Sequence, residues 1–234
     1  MWDNAPLLRN LANFLLGCSF LAIAYGAVHY AVHLPSLLPI RTVRLASAPE
    51  RVDPAEVLAV VRSGVQGNFL TADIERLRRS LQAMPWVKSV NIRRKFPDGL
   101  VLQIEEHQAV ARWNDDELVD KQGEVFAAET DQQLPRFIGI EGSSEEVLDE
   151  YKKFSEQLSA LNLQVSQISL SARHAWQLHL SNGTVLELGR DALQERMARF
   201  VAYQMSEGGA QKKAEEVVDM RYRHGFAVKS TGKA

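Results

Sequence analysis

The chain has 234 residues, with 27 lysines and arginines against 29 aspartates and glutamates, and a single cysteine. A formal charge of −2 argues against a dedicated nucleic-acid binder, which would carry a marked basic excess. Cys18 lies in an apolar stretch, so the polar remainder makes no disulfide of its own and needs no reducing compartment.

Residues 11–34 form one apolar run, broken only by Asn13, Ser19, His29 and His33. As a helix the run reaches ~36 Å, enough for a bilayer core of ~30 Å. It predicts a single transmembrane helix over 11–34, preceded by a short tail over 1–10. Leu15-Leu16-Gly17-Cys18 resembles a lipoprotein processing site, and Ala22-Ile23-Ala24 a signal-peptidase site. Apolar residues continue past both, which favours a retained span. His29 and His33 are one turn apart beside Tyr25 and Tyr30, and read as an interfacial belt rather than metal ligands. Arg9 precedes the span while Arg41, Arg44 and Arg51 follow it. A naive charge count therefore places the following domain in the cytoplasm, but that count governs short loops and not long domains.

Leu34-Pro35 and Leu38-Pro39 end the span, and Ile40 to Leu45 reads as a strand. Asp53-Pro54-Ala55-Glu56 opens a helix, with Val57, Leu58 and Val61 on its buried face and Ser63-Gly64 as its stop. Thr71 is expected to cap a second helix, in which Ile74, Leu77, Leu81 and Met84 recur at helical spacing. Val90, Ile92 and Phe96 then alternate with polar residues, Pro97-Asp98-Gly99 supplies a turn, and Leu100, Leu102 and Ile104 continue the alternation. This predicts an antiparallel hairpin with one buried face, containing Ile92 and Leu102. The order is β-α-α-β-β over residues 40–107.

A β-rich unit is expected over 108–228. Asp120-Lys121-Gln122-Gly123 separates two short apolar runs as a hairpin turn. Ser144, Glu145 and Glu146 open a long helix striped by Val147, Tyr151, Phe154, Leu158 and Leu161. Asn182-Gly183 is the strongest hairpin signal, between the alternating sets Trp176, Leu178, Leu180 and Thr184, Leu186, Leu188. Asp191 is expected to cap a last helix, with Gln194 at the capping-box position and Leu193, Met197, Phe200 and Val201 facing the core. Glu207-Gly208-Gly209 and Gln211-Lys212-Lys213 form a loop. Val217 to Tyr222 reads as the final strand, at a sheet edge, with a resumption over Phe226 to Val228. Residues 229–234 read as a disordered tail.

Reactive groups do not converge anywhere in the sequence. G-x-S-x-G, H-E-x-x-H and Walker A patterns are missing. Lys229-Ser230-Thr231-Gly232 stands without partner motifs, His174 and His179 fall on opposite faces of a strand, and Asp115-Asp116-Glu117 reads as an exposed acidic turn. No catalytic residue, cofactor or metal is expected. Charge placement says more. Arg76, Arg78, Arg79, Lys88, Arg93, Arg94 and Lys95 follow one another with no acidic residue between them. A partner protein or lipid is the expected contact for Arg76, Arg78, Arg79, Arg93 and Arg94, with a solvated face as the alternative. The second unit carries acidic Glu141, Glu145, Glu146, Asp149 and Glu150.

The β-α-α-β-β unit resembles a POTRA (polypeptide-transport-associated) domain. The run Met84-Pro85-Trp86-Val87-Lys88-Ser89-Val90-Asn91-Ile92-Arg93-Arg94 and then Phe96-Pro97 resemble the FtsQ/DivIB family of bacterial division proteins. So do Ala109-Val110-Ala111-Arg112-Trp113, Leu118 to Phe126, Trp176-Gln177-Leu178, Leu188-Gly189-Arg190 and Val218-Asp219-Met220-Arg221-Tyr222. The resemblance spans nearly all of the chain past the apolar run, in order. It implies an α+β protein with one N-terminal transmembrane helix, a POTRA domain and a β-rich domain with two helices. It further implies a non-enzymatic scaffold in the inner membrane at the division septum, with its N-terminus cytoplasmic and its bulk periplasmic. The implied partners are FtsB, FtsL and other divisome membrane proteins. Partner binding falls on Arg221, Tyr222, Gly225 and Phe226, with Arg173. Strand addition at a free edge is the expected mode. Two other functions compete: a POTRA-type envelope-biogenesis protein handling translocated polypeptides, and an anchored cell-wall enzyme. Filamentation on depletion marks the first reading, outer-membrane defects the second, hydrolase activity the third.

Overall fold

The computed structural model describes residues 5–34, 37–206, 216–223 and 225–230. The Glu207 to Lys213 loop and the end of the expected tail lie outside the described residues. The chain divides into two units, residues 1–106 and 107–234.

The first unit begins with helix α1, Ala5–His33. It starts six residues before the apolar run. Its membrane-length stretch covers Arg9–His33. Apolar side chains project from all sides of it, with Leu16 68%, Phe20 72% and Ile23 71% exposed. A helix of that kind has no protein surface to bury against, which is the condition of a membrane span.

A three-stranded sheet follows, in the order β1 (Thr42–Leu45), β3 (Gly99–Glu106), β2 (Val87–Lys95). Strand β1 runs parallel to β3, and β2 is antiparallel to it. Helices α2 (Pro54–Gly64) and α3 (Ile74–Gln82) complete one core with the sheet. Ile92 faces Leu102 directly across the β2–β3 ladder, and both are buried in that core with Val57, Val61, Leu77 and Leu81. The expected hairpin register is therefore correct. Leu58 is only half-buried. Phe96, expected to continue the buried alternation, is 77% exposed, because the ladder gives way to the turn there.

Two helix starts differ in chemistry. Asp53 caps α2 as expected, its Oδ1 accepting from the Ala55 N–H. Asp73, not Thr71, caps α3, through the Arg76 N–H. Thr71 is occupied elsewhere. Its N–H and hydroxyl both donate to Oδ1 of Asn68, a side chain only 1% exposed. The Asn68 amide in turn donates to the Val32 and Leu34 carbonyls at the end of α1.

Glu106 closes the first unit. Its carboxylate accepts the backbone N–H groups of Glu50, Arg51 and Val52 at 2.8–2.9 Å. Burial pushes its pKa up, but these three donors and the Arg51 charge outweigh burial and hold it below its ordinary value. A depressed carboxylate contributes stability that is present above its unfolded pKa and lost as pH falls through the folded one. The first unit is thus expected to weaken as pH drops below 4.5, the ordinary value. Glu106→Gln should flatten that acid limb in thermal melts between pH 7 and pH 3. An unchanged limb would show that other carboxylates govern it.

The second unit is one nine-stranded sheet. In chain order its strands are β4 (Ala109–Trp113), β5 (Glu117–Asp120), β6 (Val125–Phe126), β7 (Arg136–Ile138), β8 (Val165–Leu170), β9 (Trp176–Leu180), β10 (Val185–Gly189), β11 (Glu216–Asp219) and β12 (Ala227–Ser230). In space they run β12-β11-β10-β9-β8-β7-β4-β5-β6. The β5–β6 and β9–β10 pairs are the hairpins that Gly123 and Asn182-Gly183 predict. Helix α4 (Ser144–Ser159) lies between the parallel strands β7 and β8, and α5 (Leu193–Met205) between the parallel strands β10 and β11. Both are crossovers, which parallel strands require. Phe137, Phe154, Ile168, Leu178, Leu186 and Phe200 form the centre of the core.

The expected cap of α5 is not made. Ala192 occupies the N-cap in a left-handed conformation, with no side-chain hydrogen bond. Gln194 instead reaches α4, donating to Glu150 and accepting from Gln157. Inter-helix bonds win here over the local capping box.

Candidate partner-binding site

Strand β11 sits inside the sheet, parallel to β10 on one side and antiparallel to β12 on the other. The expectation that Val217 to Tyr222 forms the sheet edge is therefore corrected. The strand ends at Asp219, and β12 covers it. Lys229 and Ser230, read as tail, belong to β12. Among the described residues the edge strands of the sheet are β12 and β6, and the edge beside β11 is that of β12. Its far side presents backbone N–H and C=O groups without a ladder partner, which is the template for adding a strand.

The turn between β11 and β12 carries four of the residues singled out. Met220 is buried, whereas Arg221, Tyr222 and Arg223 stand exposed, Tyr222 at 57%. Arg221 donates from Nε and Nη2 to the two oxygens of Asp219, at 2.8 and 2.6 Å, and its N–H donates to the same carboxylate at 3.0 Å. The Arg221 guanidinium holds the Asp219 carboxyl below the usual carboxylate range against the opposing effect of burial. Asp219 reciprocally raises the Arg221 pKa, so this cation stays charged at any working pH. An exposed pair adds little stability, but a bidentate one orients the guanidinium. Gly225 has open space around it, with nothing within 4 Å of where a side chain would begin. Phe226 is half-buried against the core, its ring centroid 4.5 Å from that of Tyr203.

Helix α5 braces this turn from behind. Arg199 Nη1 donates to the carbonyls of Tyr222 at 3.1 Å and Gly225 at 3.2 Å. Arg196 donates to the carbonyls of Leu188 and Arg221. The sequence reading missed both arginines. Their signal was the three-residue spacing, which puts them on one side of α5.

Arg173 lies exposed in the turn between β8 and β9. The ladder pairs Leu170 with Trp176, Trp176 with Gly189, Glu187 with Asp219 and Asp219 with Ala227. That turn and the β11–β12 turn therefore sit at the same end of the sheet, two to three strand spacings apart, roughly 10–15 Å. His174 is in the same turn and not on a strand.

The basic set of the first unit does not form a single face. Arg93 and Arg94 are neighbours on β2 and so point to opposite sides of the sheet. Arg94 Nη2 donates to the Ala72 carbonyl at 2.7 Å, and Arg78 pairs with Glu75 at 2.9 Å. Arg76 and Arg79 stand exposed on α3.

One further cluster escaped the sequence reading. His107, Asp120 and Glu124 place ligand-type atoms within 4.8 Å of one another. His107 and Asp120 are buried, with Nδ1 3.0 Å from Oδ2, and the imidazole stacks on Phe126. Asp120 Oδ1 also accepts the Gln122 and Glu124 N–H groups, at 2.9 Å each. Those bonds organise the β5–β6 hairpin. The His and Asp are thirteen residues apart in sequence, with no motif to join them.

A membrane-length apolar helix, a β-α-α-β-β module and a sheet domain with an open edge define a single-pass, POTRA-bearing protein. A family model of the FtsQ-type POTRA domain matches residues 38–107, and one of the C-terminal domain of cell division protein FtsQ/DivIB matches residues 111–221. Cell division protein FtsQ of Nitrosospira multiformis is 37% identical over 236 residues, covering 99% of this chain and 100% of the relative. The FtsQ proteins of Burkholderia pseudomallei and Neisseria gonorrhoeae are each 34% identical, covering 99% and 98% of this chain and 95% of each relative. The chain belongs to the FtsQ/DivIB family of cell division proteins.

Proposed function

We propose that the protein is a non-enzymatic scaffold of the division machinery. It is anchored in the inner membrane by α1, with both folded units in the periplasm. It binds the periplasmic segments of FtsB and FtsL and so helps to assemble septal cell-wall synthesis at the division site. The observation that carries this reading is the open edge of β12 beside the exposed Tyr222. A partner segment adds as a tenth strand along β12, Tyr222 anchors it, and Arg221, held by Asp219, meets its acidic groups. Arg196 and Arg199 keep the turn in the shape that this needs.

The test is capture of an FtsB periplasmic segment by the purified protein. Tyr222→Ala should weaken capture by about 2 kcal/mol, roughly thirtyfold in Kd, with an unchanged melting temperature. Phe226→Ala, which empties a half-buried site against Tyr203, should lower both capture and melting temperature. Full capture by both variants would remove the anchor from the proposal. Orientation is tested separately. Alkaline phosphatase fused after β12 should be active in cells, and an inactive fusion alongside an active cytoplasmic reporter would reverse the topology.

A further inference from the structure

We propose that the groove between β1 and α2 is a binding site for the headgroup of an anionic phospholipid. The groove has a volume of about 730 Å³, and Arg41 and Arg62 line it together with apolar Val43, Leu58 and Val65. Arg44 follows Val43 on β1, so its side chain points to the opposite face of the sheet. The inference rests on the reading of α1 as a membrane span.

Position is the first argument. The wall of the groove begins just past the end of α1, and the loop at Gly67 closes one side of it. That loop is fastened to the span. The buried Asn68 amide donates to the Val32 and Leu34 carbonyls, and the Phe69 N–H donates to the Leu38 carbonyl at 2.9 Å. The headgroup layers add roughly 5–7 Å on each side of the hydrocarbon core, so a cleft tied to the terminus of a spanning helix opens into that layer.

Charge and shape are the second argument. Among the described residues, neither the Arg41 nor the Arg62 guanidinium has a carboxylate within ion-pair distance. The contrast is with Arg78, Arg136 and Arg221, each of which has an acidic partner. Strand β1 is also an edge of its sheet. Thr42 and Ala46 donate toward β3, so the Val43 N–H between them faces outward, where a phosphate oxygen can accept it. The apolar floor suits the glycerol and first methylenes of a lipid, which a free phosphate ion would leave bare. A bilayer surface supplies such a ligand at high local concentration, and each basic residue near it adds substantially to binding.

The test uses the full chain, purified in detergent with equal phosphatidylglycerol and phosphatidylcholine, and native mass spectrometry of what it retains. One phosphatidylglycerol per chain is expected, with phosphatidylcholine excluded. Arg41→Gln with Arg62→Gln should weaken retention roughly thirtyfold, and Arg41→Lys with Arg62→Lys should keep most of it. Undiminished retention in the glutamine variant overturns the site, as does equal retention of both lipids. Complete displacement by millimolar inorganic phosphate would assign the groove to free anions and also overturn it. Unchanged lipid retention with lost septal localisation would give the groove to an acidic partner segment instead. Carbonate extraction of the same membranes reads the span by itself. A released chain counts against the span and the site together, whereas a retained chain with undiminished lipid binding counts against the site alone.

Discussion

Ile92→Asp is expected to unfold the first domain. Ile92 is 8% exposed, opposite Leu102 and packed in the cluster that α2 and α3 close. Arg94, two residues along the same face of β2, is already bonded to the Ala72 carbonyl. Burying an unpaired carboxylate at position 92 costs several kcal/mol. A domain of ~70 residues has only about 4–10 kcal/mol to lose. Ile92→Val, which keeps the apolar surface, should cost only about 1 kcal/mol. Hydrogen exchange resolves the outcome by region: protection should vanish from β2, β3 and α3 while the second unit keeps its own. Retained protection in β2 would mean that Ile92 does not face the core.

Asp120→Ala should be the most damaging single change at a polar position in the second domain. Asp120 is fully buried and serves three donors: His107 Nδ1 and the N–H groups of Gln122 and Glu124. Alanine removes the acceptor for all three, at a cost of about 2–4 kcal/mol for the lost buried hydrogen bonds. The damage should spread to α4. The same hairpin places Gly123, at φ +86°, against the start of that helix, where a side chain would meet the Glu145 backbone at 2.8 Å. Ser144 Oγ donates to the Gly123 carbonyl across the same contact. Asp120→Asn keeps an acceptor toward the turn and should lose less. Urea unfolding of the second unit, followed by exchange in residues 107–126, reads the difference. A wild-type midpoint for Asp120→Ala would show that the pair carries no stability.

These expectations separate what a chain segment states locally from what neighbours impose. Buried alternation was legible because one-face burial makes period two obligatory, and Ile92 and Leu102 face one another as expected. The turns at Asp120 to Gly123 and Asn182-Gly183 were legible because positive φ falls on glycine there. Capping chemistry was legible only where no other side chain competed. Asp53 caps as written, but Thr71 was drawn to Asn68, and Gln194 to Glu150 and Gln157 on α4.

The candidate site shows the same division. Its residue types, the exposed Tyr222 and charged Arg221, stood in the sequence. Its edge did not. The sequence alone determined an apolar span, a β-α-α-β-β unit and a β-rich unit with two amphipathic helices, because hydrophobic period and turn chemistry act within a few residues. Only the tertiary structure decided that α5 carries the chain over to a strand parallel to β10, so that β11 is enclosed and β12 is left as the edge at that end of the sheet. Strand order depends on which backbone hydrogen bonds remain unfilled once every helix has packed, and no local pattern encodes that balance.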